Sequence, residues 1–242
     1  MADYKDQKVS QIVTQNLKAA DILETHNIDF CCGGDKTLGE ACQEQNVSVD
    51  SVKTELENAI EGTDSEAIMI KNMNPSELSE YIVKRHHSYV RESIPQLKKY
   101  LEKICEVHGD NHPELFKVKE EFNKAAEALK EHMNNEEQVL FPVVHEMVKA
   151  KNKNRQIDAP CFGMLDNPIN QMKKEHLNEG ERFDKLAEIT DHFKVPEDGC
   201  NTYALTYNQL GEFVSDLHRH IHLENNIIFP QAINLEKETI KK

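Results

Sequence analysis

No stretch of the 242-residue chain approaches the roughly 20 consecutive apolar residues that a membrane span requires, and the opening MADYKDQKVS lacks the apolar core of a secretory signal. The expectation is a cytoplasmic protein with no membrane partner. Basic residues are also scarce. The chain has 29 Lys and Arg against 43 Asp and Glu, a formal charge of -14, and no basic stripe along its length. Phosphate-rich partners would be repelled, which argues against nucleic acid. No CxxC pair occurs among the six cysteines. In a compartment that keeps thiols reduced, Cys31, Cys32, Cys42, Cys105, Cys161 and Cys200 read as free or functional thiols. No nucleotide or flavin motif is present, so any electrons the protein uses come from an unidentified external donor.

The chain holds only nine Gly and eight Pro and few β-branched runs, and 30% of its residues are charged. That suits slender helices, each burying one stripe. Residues 1–62 read as a small helical domain, with QIVTQNLKAADILETHNI at helical spacing and FCCGGDKT a break built on Gly33 and Gly34. EGTDSEAIMIKNMN reads as a linker. From residue 75 to the end, the pattern predicts an antiparallel bundle of four long helices. The first runs from Asn74–Pro75 to about Cys105, and the second from Pro113 to about Lys149 with a kink at Pro142. The third runs from Pro168 to about His192 and the fourth from about Thr202 to Glu236. The fold class is therefore all-α.

An internal repeat marks the second half. His132 to Pro142 reads HMNNEEQVLFP and His220 to Pro230 reads HIHLENNIIFP. His87, His132, His176 and His220 follow one another at intervals of 45, 44 and 44 residues, one per long helix. At about 1.5 Å per residue, a helix out and a helix back return the chain to nearly the same height, so all four can meet at one level. A four-residue step turns a helix by about 400°, so His132 and Glu136 share a face, as do His220 and Glu224.

These residues stand in the apolar seams. On the second helix the seam runs Phe122, Ala126, Leu129, His132, Glu136, Val139, Val143; on the fourth it runs Leu210, Phe213, Leu217, His220, Glu224, Ile227. One histidine on an apolar face is ordinarily a hydrogen-bonded core residue, and a His–Glu network can in principle satisfy itself. Four aligned with two carboxylates favour a shared dication, because burying an uncompensated carboxylate costs several kcal/mol. Four imidazoles and two carboxylates, without a thiolate, favour iron or manganese over structural zinc. If both carboxylates bridge, each metal has four protein donors and needs a solvent-derived bridge to reach five, leaving a position open. His86 is an alternative to His87, since the phase of Ile82, Val83 and Val90 is loose. His218 and His222 lie about 200° from His220 and read as solvent-facing; His108 and His112 read as capping residues in a helix break.

Ferritin-like bundles use Glu-x-x-His, which none of the twelve histidines shows, and HExxH is also absent. H-x-x-x-E instead resembles the haemerythrin-like bundle. Asp29-Phe30-Cys31-Cys32-Gly33-Gly34 with Thr37-Leu38 resembles the small amino-terminal domain of the iron-sulfur cluster repair di-iron proteins. The pairs Arg85/His87 and Glu175/His176 and the two repeats match that family's bundle motifs. This resemblance implies a carboxylate-bridged pair of iron ions on His87, His132, Glu136, His176, His220 and Glu224. It pairs His87 with His132 on one iron and His176 with His220 on the other. It also implies repair of iron-sulfur proteins damaged by oxidative or nitrosative stress, by iron donation, nitric oxide binding, or both. The alternatives are a di-iron nitric oxide reductase and, behind it, a dioxygen-binding haemerythrin. Where that family usually has a second histidine on the third helix, this chain has Gly180, which argues against stable oxygen carriage. Cys31 and Cys32 admit two readings: small buried side chains at a helix end, or thiols activated beside Gly-Gly amides for iron transfer or redox exchange. The assembly state, with a homodimer among the options, stays open.

Overall fold

A computed structural model describes residues 4–60 and 62–241, and among these the protein is built of helices with no β-strand. Five short helices come first: α1 (Val9–Gln15), α2 (Ala19–Thr25), α3 (Leu38–Glu44), α4 (Val49–Ala59) and α5 (Ser65–Asn72). Local chemistry sets their starts. Thr37 and Glu40 form a reciprocal capping box at α3, and Asp64 accepts the N–H groups of Glu66 and Ala67 at α5. The expected linker is thus partly helical, because Asp64 caps it and Ala67 and Ile70 are buried.

The long helices follow. Asn74 accepts the N–H groups of Ser76 and Glu77, while Glu77 accepts that of Asn74, which starts α6 (Pro75–Ile82). It continues through a π-helical segment, Val83–His87, into α7 (Ser88–His108). The second arm is α8 (Glu114–Asn135), a π segment Glu136–Leu140, and α9 (Phe141–Asn152). The third is α10 (Asp166–Ile189), which ends where Asp191, His192 and Phe193 turn left-handed, with the Thr190 hydroxyl accepting the N–H of Phe193. The fourth is α11 (Asn201–Leu223), a π segment Glu224–Ile228, and α12 (Phe229–Thr239).

No simple kink occurs at Pro142. A wider turn precedes both Pro142 and Pro230, and it offers room where a proline ring would strike the preceding α-turn and no N–H is available. The extra residue of the turn also shifts the helix phase. After Glu136 the buried positions are Leu140, Phe141, Val144 and Met147, while Val139 is 41% exposed.

The chain forms two compact units. One contains the residues up to Glu80, with Val143–Ile169 and the segment from His218; the other contains Tyr81–Pro142 and Asn170–Leu217. In the second, Phe213 of α11 meets Tyr89 of α7, Phe122 of α8 and Phe183 of α10 at ring-centroid distances of 6.3, 5.6 and 5.7 Å. One aromatic side chain thus ties four helices together. Among the described residues, no helix is long and apolar enough to cross a membrane.

Candidate metal centre

Three of the long helices change to π geometry at a candidate ligand: His87 closes one π segment, Glu136 opens the second and Glu224 opens the third. Such segments recur at functional sites because they re-aim side chains without breaking the helix.

Within the second unit, His87, His132, Glu136 and His176 come together and all are buried. Glu136 divides its carboxylate between two histidines. Oε2 lies 3.3 Å from His87 Nε2, and Oε1 lies 3.4 Å from His132 Nε2. The other nitrogen of each ring is fixed from outside: His87 Nδ1–H donates to Glu137 Oε1 (2.6 Å) and His132 Nδ1–H to Glu175 Oε2 (2.7 Å). A neutral imidazole that donates from Nδ1 presents a lone pair at Nε2, so both lone pairs face inward. Arg91 holds Glu137 from the far side at 2.8 Å, and the bond to His132 keeps the Glu175 carboxyl below its ordinary pKa.

His176 turns its Nε2 to within 2.9 Å of His132 Nε2. His132 thus stands against His176, whereas the resemblance places it with His87 on one iron; the His132 and His176 rings lie 4.6 Å apart between centroids. His87 and not His86 points to Glu136, for the His86 Nδ1–H donates to Asp216 (3.1 Å). In the first unit, His220 and Glu224 lie one turn apart, both buried, with Nε2 to Oε1 at 2.7 Å.

This donor set fits a cation. His87 and His132 turn lone pairs inward, Glu136 and Glu224 supply carboxylate oxygens, and the outer acidic partners raise the basicity of those two rings. Gly180 has open space where a side chain would stand. Helical spacing does not single out Glu179, which stands one turn after His176, is 6% exposed, accepts from Arg182 Nε at 3.1 Å and has its carboxyl pKa raised by burial.

The expectation that His218 and His222 face solvent fails. His222 is fully buried, between the Thr14 hydroxyl (3.2 Å) and the Phe30 carbonyl (3.3 Å), and its pKa is pushed down to about 4 by burial. His218 meets Glu24 at 3.0 Å, and Arg219 pairs with Asp21. The amino-terminal helices cover this face of α11, a tertiary contact that helical periodicity does not encode. The Cys31–Cys32 turn sits on the next turn of the same arm, where Asn226 Nδ2 donates to the Cys31 carbonyl at 3.0 Å. Cys31 is buried, Cys32 half-buried, and both are free thiols.

Residues 5–60 match the family described as "Domain of Unknown function (DUF542)", and residues 79–232 match the "Hemerythrin HHE cation binding domain". The chain is 31% identical over 234 residues to proteins named "Iron-sulfur cluster repair protein YtfE" from Yersinia pseudotuberculosis (serotype O:1b, strain IP 31758) and Yersinia pestis (strain Pestoides F). Each alignment covers 97% of this chain and all of the relative.

Proposed function

Because the chain belongs to the haemerythrin-like family of iron-sulfur cluster repair proteins, we propose that it holds two iron ions and uses them to restore damaged iron-sulfur centres. The ligands are His87, His132, Glu136, His176, His220 and Glu224. Glu136 and Glu224 bridge, and a solvent-derived bridge completes the pair. Within one unit, the grouping of His132, Glu136 and His176, all buried, supports the reading. The observation that carries the reading is the split carboxylate of Glu136, with one oxygen toward each of two inward-facing imidazoles.

Iron held by four protein donors supplies an open position for a diatomic ligand such as nitric oxide or dioxygen, and is released more readily than iron in a closed shell. The protein's own residues do the rest. Glu137 and Glu175 fix the tautomers of His87 and His132, and Phe141, stacked on the His87 ring at 6.1 Å between centroids, shields it from bulk water. Cys31 and Cys32 are the candidate thiols for passing iron on, in a domain assigned to residues 1–62 ahead of the bundle at 75–242. The setting is cytoplasmic, the clients are damaged iron-sulfur proteins, and electrons come from a separate donor.

Iron-loaded protein incubated anaerobically with a cluster-depleted enzyme tests the reading. Recovery of that enzyme at the expense of the bundle's iron supports donation. Catalytic nitrous oxide formation without iron transfer would overturn it in favour of a nitric oxide reductase.

A further inference from the structure

Outside the bundle, three metal-binding side chains converge on one turn. The ligand atoms of Asp29, Cys31 and Cys32 all lie within 4.8 Å of one another. Asp29 builds the turn by accepting the N–H groups of Cys31 and Cys32 at Oδ1 (2.9 Å each) and that of Gly33 at Oδ2 (2.7 Å). Those bonds explain the carboxylate; they leave the direction of the sulfurs unexplained. The Cys31 Sγ–H points at Asp29 Oδ1 (3.2 Å), and the Cys32 thiol lies within 4.8 Å of both.

The turn is braced from behind. Asn226 donates to the Cys31 carbonyl, and Asn225 Nδ2 lies 3.8 Å from Cys32 Sγ. Phe30 is buried, and a side chain at Gly34 would meet the Phe30 carbonyl at 2.6 Å and Ser10 Cβ at 2.7 Å. Three donors held this tightly need little further ordering to bind an ion, and Cys32 leaves one side open to solvent.

We propose that Asp29, Cys31 and Cys32 form a third metal site, separate from the bundle, that takes one divalent ion of the iron(II) or zinc class. Two sulfurs and one oxygen suit a borderline ion better than calcium or magnesium. A site with three protein donors keeps its fourth position free, and such a site exchanges its ion where a four-donor structural site retains it. On binding, each thiol gives its proton to solvent as a sulfur–metal bond forms, about two protons per ion, with no change of oxidation state. The Cys31 thiol is held well above its ordinary pKa, first by its bond to Cys32, then by burial and by the Asp29 carboxylate. Because each thiol must lose its proton to bind, affinity should rise with pH. As the exit point for iron, the site rests on the proposed donor role; as a metal site, it does not.

Cobalt(II) added anaerobically to the full-length, metal-free chain is the test. The six proposed bundle donors include no sulfur, so a near-ultraviolet thiolate-to-cobalt charge-transfer band that disappears in Cys32→Ser reports this turn and not the other free cysteines. The expected result is that band at about one ion per chain, lost in Cys32→Ser and weakened at least about tenfold in affinity in Asp29→Asn, whose one oxygen can still accept from Cys31 and Cys32 N–H while the charge and the Gly33 contact are lost. Binding at the bundle, followed through its loss in His132→Ala, should persist in both variants. Saturation of the bundle with no charge-transfer band would overturn the third site and leave the bundle standing. A charge-transfer band with no binding that depends on His132 would sink the bundle and leave the turn.

Discussion

His132 and His176 hold their Nε2 atoms 2.9 Å apart on neighbouring helices of the bundle. Because His132 donates its other N–H to Glu175, its Nε2 carries a lone pair, and the pair must share either a proton or a cation. With a metal bound, Glu175→Gln should lower affinity about 10–100-fold while leaving the helix content unchanged, and Glu137→Gln should do the same through His87. Competition against a chromophoric chelator measures both. An unchanged affinity in both variants would show that the outer carboxylates do not tune the site.

The π segment at Glu136–Leu140 makes a prediction that helical periodicity would reverse. Leu140→Ala should cost about 2–5 kcal/mol, whereas Val139→Ala should cost less than about 0.5 kcal/mol. Urea denaturation of the two variants decides it. Equal losses would place the seam where a regular α-helix puts it.

Much of the bundle is legible in the sequence, and what is not has physical causes. The six donors are legible because spacings of 44–45 residues give one histidine per long helix, two of them followed by Glu one turn on. Regular α-helical spacing puts Val139 and Val143 in the seam, because nothing in EEQVLFP but its proline hints at an extra residue in the turn. The same irregularity at Val83–His87 blurred the choice between His86 and His87. Which histidines pair depends on which helices are neighbours in space, and spacing along the chain is silent on that. His222 looked exposed because its cover comes from Thr14 and Phe30, some 200 residues away.

Gly180 sits inside α10 with nothing within 4 Å of where a Cβ would stand. Gly180→Ala should therefore stabilise the protein by about 0.5–1 kcal/mol, the helix preference of alanine over glycine. Gly34→Ala should destabilise it, by about 1–3 kcal/mol, because its Cβ would strike backbone and Ser10. Thermal unfolding of the two variants should move in opposite directions.

Cys200 caps the start of α11, where the His108 ring and then the N–H groups of Tyr203 and Thr202 bring its thiol down to about 7. Its alkylation rate should rise with pH around a midpoint near 7, and His108→Ala should move that midpoint upward. Mass-resolved iodoacetamide labelling of the exposed cysteines follows this directly. A midpoint unchanged in His108→Ala would remove the histidine from the explanation.

The metal content of the purified chain tests the central claim most directly, measured beside the variant His132→Ala. The account predicts about two iron ions per chain bound at the bundle and a clear loss in the variant. Fewer than about one iron per chain, with no loss on removing His132, would contradict it.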